Sequence, residues 1–135
     1  MTALIITVAN VRYTASTITA KATAGETLTP MMPVYQVAAD REYSKAANTS
    51  AVLAAAKGLC LNYAEDGVRF ELVTGGTIVP GVTMVLGESY YVGASGLIMP
   101  VGDLSTGEFG RFLGIAITTT ILDLNIGTGT PIARA

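Results

Sequence analysis

The side chains that most often carry catalysis are thinly supplied in this chain. Histidine is absent from its 135 residues. That removes the commonest general base, the usual activator of a nucleophile and the most frequent metal ligand. Cys60 is the only thiol, so no intrachain disulfide forms, and zinc would have to be held by Cys60 and carboxylates alone. It sits in the apolar run Gly58-Leu59-Cys60-Leu61, with Lys57 as the nearest basic residue in sequence. Reactive cysteines need an electropositive setting, so a buried, inert thiol is expected. Paired carboxylates suit glycoside chemistry, but Glu65 and Asp66 fall in Glu65-Asp66-Gly67, a turn sequence that favours Asp for its backbone geometry. Asp103 and Glu108 flank a Gly/Ser/Thr loop without calcium-loop spacing. Gly75-Gly76 and Gly127-Thr128-Gly129 lack the lysine and the strand-loop-helix context of a phosphate loop and read as turns. The expectation is a protein with no catalytic residue, no metal and no cofactor, hence not an enzyme.

The elements that would carry any site are mostly strands. Leu4, Ile6 and Val8 alternate with Ile5, Thr7 and Ala9, and Thr17 to Thr23 alternates again. Ala24-Gly25-Glu26 turns the chain, and Pro33 to Ala38 reads as a short strand with the β-favouring Val34 and Tyr35. Leu59, Leu61 and Tyr63 share one face, as do Val68, Phe70 and Leu72. The Asp66-Gly67 step between these runs is the strongest hairpin signal in the chain, and Gly75-Gly76 is expected to end that hairpin. The one helix candidate runs from Asn48 to Ala56, with Asn48 or Ser50 to cap its start and Gly58 to close it.

Composition sets the scale. Half the residues are hydrophobic and 13% are charged, against about 25% in an ordinary soluble domain. A chain of this length builds one compact domain or two small lobes, and the missing charge points to surface buried against other chains. The net charge is -2, and the eight Lys and Arg are scattered singly. Nucleic acid, which needs a basic patch to displace counterions, is not an expected partner. The apolar stretches Ala3 to Val11 and Ala51 to Leu61 are too short to span a bilayer, so no membrane partner is expected. No positive residue precedes the first stretch, which makes it a weak signal peptide.

The chain also repeats itself. Tyr35-Gln36-Val37-Ala38-Ala39 recurs as Tyr90-Tyr91-Val92-Gly93-Ala94, with turns at Asp40-Arg41 and Ser95-Gly96 and a second β-run after each. Gly58-Leu59-Cys60-Leu61 matches Gly114-Ile115-Ala116-Ile117. The runs Val68, Phe70, Leu72 and Leu122, Leu124, Ile126 follow in turn. The reading is all-β: an extended N-terminal segment over 1–23, one β-unit over 24–79 and a second over 80–135, packed as one compact domain with at most one short helix. Chance likeness between short hairpins is the competing explanation.

These residues resemble the small head-decoration proteins of bacteriophages, the lambda-type capsid-stabilising family and its two-repeat relatives. The resemblance spans roughly Ala24 to Ile126. It rests on Ala24-Gly25-Glu26-Thr27-Leu28, Pro33-Val34-Tyr35-Gln36-Val37 and Lys57-Gly58-Leu59-Cys60-Leu61 in the first half. Gly87-Glu88-Ser89-Tyr90-Tyr91-Val92, Gly96-Leu97-Ile98 and Leu113-Gly114-Ile115-Ala116-Ile117 carry it in the second. It implies a homotrimer, made in the host cytoplasm, that sits on the outer surface of the virion and ties major capsid protein subunits together. It brings no catalytic residues. The alternative is a head- or tail-fibre module that binds a host surface glycan.

Contact with the capsid or a neighbouring subunit is expected from Leu4, Ile6, Val8 and Tyr13, in an N-terminal segment that precedes both repeats. Such a strand, if unpaired, exposes backbone groups that another chain can satisfy. Tyr90 and Tyr91 are further candidates. Adjacent strand residues point to opposite faces, so one can fill the core while the other makes a contact. Ordinary strand aromatics are the competing reading.

Overall fold

A computed structural model describes residues 4–134. Thr2 and Ala3 of the N-terminal run, and Ala135, lie outside the described residues. Twelve strands run in chain order: β1 (Val11–Tyr13), β2 (Ile18–Thr23), β3 (Pro33–Gln36), β4 (Tyr43–Lys45), β5 (Gly58–Cys60), β6 (Arg69–Pro80), β7 (Ser89–Val92), β8 (Ile98–Pro100), β9 (Phe109–Gly110), β10 (Phe112–Ala116), β11 (Leu122–Leu124) and β12 (Ile132–Ala133). One short helix, α1 (Ala51–Ala54), lies between β4 and β5. The chain is all-β, a single curled antiparallel sheet ordered β4-β3-β5-β6-β11-β10-β7-β8, with β1 and β2 also on β6 and a separate β9–β12 pair.

The two halves of this sheet are built alike. In the first, β4, β3, β5, the start of β6 and β2 are successive neighbours. In the second, β8, β7, β10, β11 and the end of β6 follow the same order. The turns match as well. Met31 N–H donates to the Cys60 carbonyl as Gly87 N–H donates to that of Ala116, and Leu28 N–H meets Ala64 as Met84 N–H meets Thr119. Even the glycines coincide. A Cβ on Gly58 would collide with the Val73 carbonyl, and one on Gly114 with that of Asp123.

The register differs by one residue from the Tyr35–Tyr90 match in the sequence. Val34 pairs with Gly58 as Tyr90 pairs with Gly114, so Tyr35 corresponds to Tyr91 and Val34 to Tyr90. Burial agrees: Val34 and Tyr90 are both core residues, whereas Tyr35 and Tyr91 are half-buried. A slip of one residue turns every side chain to the opposite face. The slip arises because the β3–β4 loop closes Val37 onto Glu42, while the β7–β8 loop closes Gly93 onto Leu97 and is one residue shorter. A match anchored on the turns therefore misplaces the strands before them. The last strand is offset further: Cys60 pairs with Leu72 and Ala116 with Leu122, so Leu72, not Val68, matches Leu122.

Each half curls around its own apolar interior. A bridge between Ala24 and Tyr43, with Gly25 N–H donating to the Tyr43 carbonyl, ties the end of β2 back to β4. Leu28, Val34, Cys60, Phe70 and Leu72 fill that first lobe, with Tyr43 edge-on to Phe70 at 5.9 Å. The larger cluster joins Ile78, Met84, Tyr90, Val92, Ile98, Leu113 and Leu122 of the second lobe to Leu59 and Val73 of the first.

Three expectations about the elements are corrected. Gly75-Gly76 does not end a hairpin. β6 runs through it from Arg69 to Pro80, and Gly76, at φ 76°, bends the strand where Ser16 crosses too close for any Cβ. The boundary at Val79–Pro80 therefore falls inside a strand that both lobes share. Gly58 does not close the helix. Ser50 caps α1, its hydroxyl accepting from Leu53 N–H at 3.1 Å, but the helix ends at Ala54 and Gly58 opens β5.

The N-terminal segment is not an unpaired strand. Leu4 N–H donates to the Ile98 carbonyl at 2.8 Å and Thr7 N–H to Gly81 at 3.0 Å, and Val11, Arg12 and Tyr13 pair with Pro80, Val79 and Ile78. Ile98 is the counterpart of Tyr43, so the arm supplies to the second lobe the bond that Gly25 makes in the first.

Candidate functional site

The six expected contact residues do not form one surface. Leu4 and Ile6 are half-buried and pack against the larger core cluster, because the arm completes the second lobe. Tyr90 is 1% exposed, and its hydroxyl accepts from Val85 N–H at 3.1 Å, so it is a core residue and offers no contact. Tyr91, the neighbour on the other face, is half-buried and edge-on to Phe112 at 5.7 Å. Val8 and Tyr13 are open to solvent. Ile5, which the alternation sets opposite Leu4, is the most exposed large apolar residue among the described residues of the arm.

Sequence reasoning missed a more coherent surface, visible once the lobes are compared. Leu59 of β5 is fully buried and Leu61 packs against the core. Their counterparts on the second lobe, Ile115 and Ile117, are 41% and 48% exposed. The turn beside them behaves the same way. Val85 and Leu86 are both 65% exposed, whereas Thr29 and Pro30, in the matching turn, are half-buried. Hydrogen bonds from Gly87 and Met84 to Ala116 and Thr119 hold that turn beside the end of β10, so the exposed apolar residues of both lie on neighbouring segments. The Gly-Leu-Cys-Leu to Gly-Ile-Ala-Ile match placed Ile115 and Ile117 at repeat positions. Nothing local in the sequence says which copy is covered.

This surface has no acid–base machinery. Ile115 pairs with Ser89 and Asp123, and the latter is a solvated carboxylate. The thiol of Cys60 donates to the Asn62 carbonyl at 2.9 Å, and burial pushes its pKa up to about 12. It is held as a neutral, unreactive group. What the patch can do is associate, through apolar area removed from water.

The chain is thus of the all-β class with two like lobes and an open apolar face. No protein-family model matches it, and no curated protein matches it in sequence. No helix among the described residues is long and apolar enough to cross a membrane.

Proposed function

We propose that this chain is a structural protein of a phage head, a homotrimer that binds the outside of the capsid and stabilises it. The observation that carries the reading is the open outer face of the second lobe. In the first lobe the matching positions are buried or half-buried; in the second they are exposed. A neighbouring copy of the chain fits that face, because within one chain Leu59 packs in a cluster with residues of the second lobe. The low charge fraction and the resemblance of the repeat residues to decoration proteins support the same conclusion.

Full burial of Val85, Leu86, Ile115 and Ile117 stabilises the assembly by about 1.5–3 kcal/mol for each, less the area already covered. Light scattering at micromolar concentration gives three times the 13.9 kDa chain mass for the native protein. The double substitution Ile115→Ser with Ile117→Ser gives a folded monomer and loses binding to undecorated capsids. A monomeric native protein, free and on capsids, overturns the proposal.

A further inference from the structure

A second feature, remote in kind from the apolar patch, goes beyond that reading. Arg111 is only 6% exposed, and no ion pair to it is present among the described residues. Among the described residues the ion pairs are Lys21–Glu71 and Lys45–Glu26, neither of which involves it. Its Nη2 donates to the Gly129 carbonyl at 2.5 Å, and its buried Nε has no partner. Burial alone depresses its pKa, the signature of a cation kept from water without a counter-charge.

Arg111 lines a cavity of about 290 Å³ together with Lys57, Thr74 and residues 127–129. Among the described residues no Asp or Glu contributes to its wall. A neighbouring hollow of about 300 Å³ shares Ala55, Lys57 and Gly129 with the first and adds Tyr35 and Gln36. The two adjoin along these shared residues as one groove, with Arg111 lining the first part and the half-buried Tyr35 the second. A Cβ on Gly127 would stand 3.3 Å from Arg111 Nη1, so glycine there leaves the cation room for a ligand atom.

We propose that this groove binds the acidic sugar unit of a glycan, with its carboxylate between Arg111 and Lys57 and its ring against Tyr35. Two cations without a counter-charge select an anion. The volume exceeds what a lone carboxylate needs, and an aromatic wall suits the apolar face of a sugar ring.

The test is calorimetric titration of the full chain with glucuronate, glucose, acetate and inorganic phosphate. Glucuronate binds saturably, with glucose at least about tenfold weaker for want of the charge-assisted bonds. Lys57→Glu and Gly127→Ala each weaken glucuronate binding about tenfold while the thermal unfolding midpoint stays within a few degrees of the native value. Absence of saturable glucuronate binding overturns the proposal, as does full affinity in Lys57→Glu. Equal affinity for acetate and phosphate overturns the assignment to a sugar. Trimer formation and capsid binding by Lys57→Glu remain native, which separates this site from the apolar face.

Discussion

Met31 holds a φ of 70° and Arg41 one of 61°, the two non-glycine residues of the described chain in the left-handed region. Their counterparts on the second lobe are Gly87 and Gly96, at 80° and 75°. The repeat therefore demands this backbone at both turns, and the first lobe meets it at a cost of about 1–2 kcal/mol per residue. Arg41 is exposed, so Arg41→Gly stabilises the protein by about 1 kcal/mol, measured by urea unfolding. Met31 is 1% exposed, and here two effects compete. Losing its buried side chain costs about 2–5 kcal/mol, which outweighs the strain relieved. Met31→Gly is therefore destabilising, yet less so than Met31→Ala, the reverse of the usual order. Equal losses from the two variants would mean the turn carries no strain. Cys60 gives a residue-scale test in pH. Its raised pKa favours the folded state fully below the ordinary thiol range and progressively less as pH rises toward about 12. Alkylation of the native protein at pH 8 is accordingly as slow as global unfolding; rapid labelling would place the thiol outside the core.

At the scale of elements, most strands were legible, because alternation marks them wherever one face is buried. The hairpin through Glu65-Asp66-Gly67 is present, with Val68 N–H closing the turn on Glu65 and Gly67 at φ 82°. The Gly75-Gly76 pair misled for a physical reason. Glycine serves a bend inside a strand as readily as a turn between strands, and only the approach of Ser16 distinguishes them. The arm misled differently: its alternation was correct, but an alternating run does not reveal which neighbour it pairs with. Ile6 and Ile5 test its present role. Ile6→Ala costs up to about 2 kcal/mol, since Ile6 packs on the core. Ile5→Ser, at an 86% exposed position, changes stability by less than about 0.5 kcal/mol. Equal effects in chemical denaturation would show that the arm does not dock as described.

For the whole molecule, the duplication was readable but its register was not, since one extra residue in the β3–β4 loop displaces one strand match and leaves the turns aligned. The site was less legible still. Ile115 and Leu59 are near-identical in local pattern, and what separates them is the packing of one lobe on the other. The shared strand β6 joins the lobes: its residues 69–75 pair with β2 and its residues 76–78 with β11. The bond from Leu4 to Ile98 carries a consequence for synthesis. The arm leaves the ribosome before the strand edge it closes has been made. Until then Leu4 and Ile6 travel uncovered on a nascent chain, and completion of the second lobe must wait for a contact between residues far apart in sequence, a slow and aggregation-exposed step. Translation stalled before β8 emerges leaves the arm open to protease, and translation past β11 protects it.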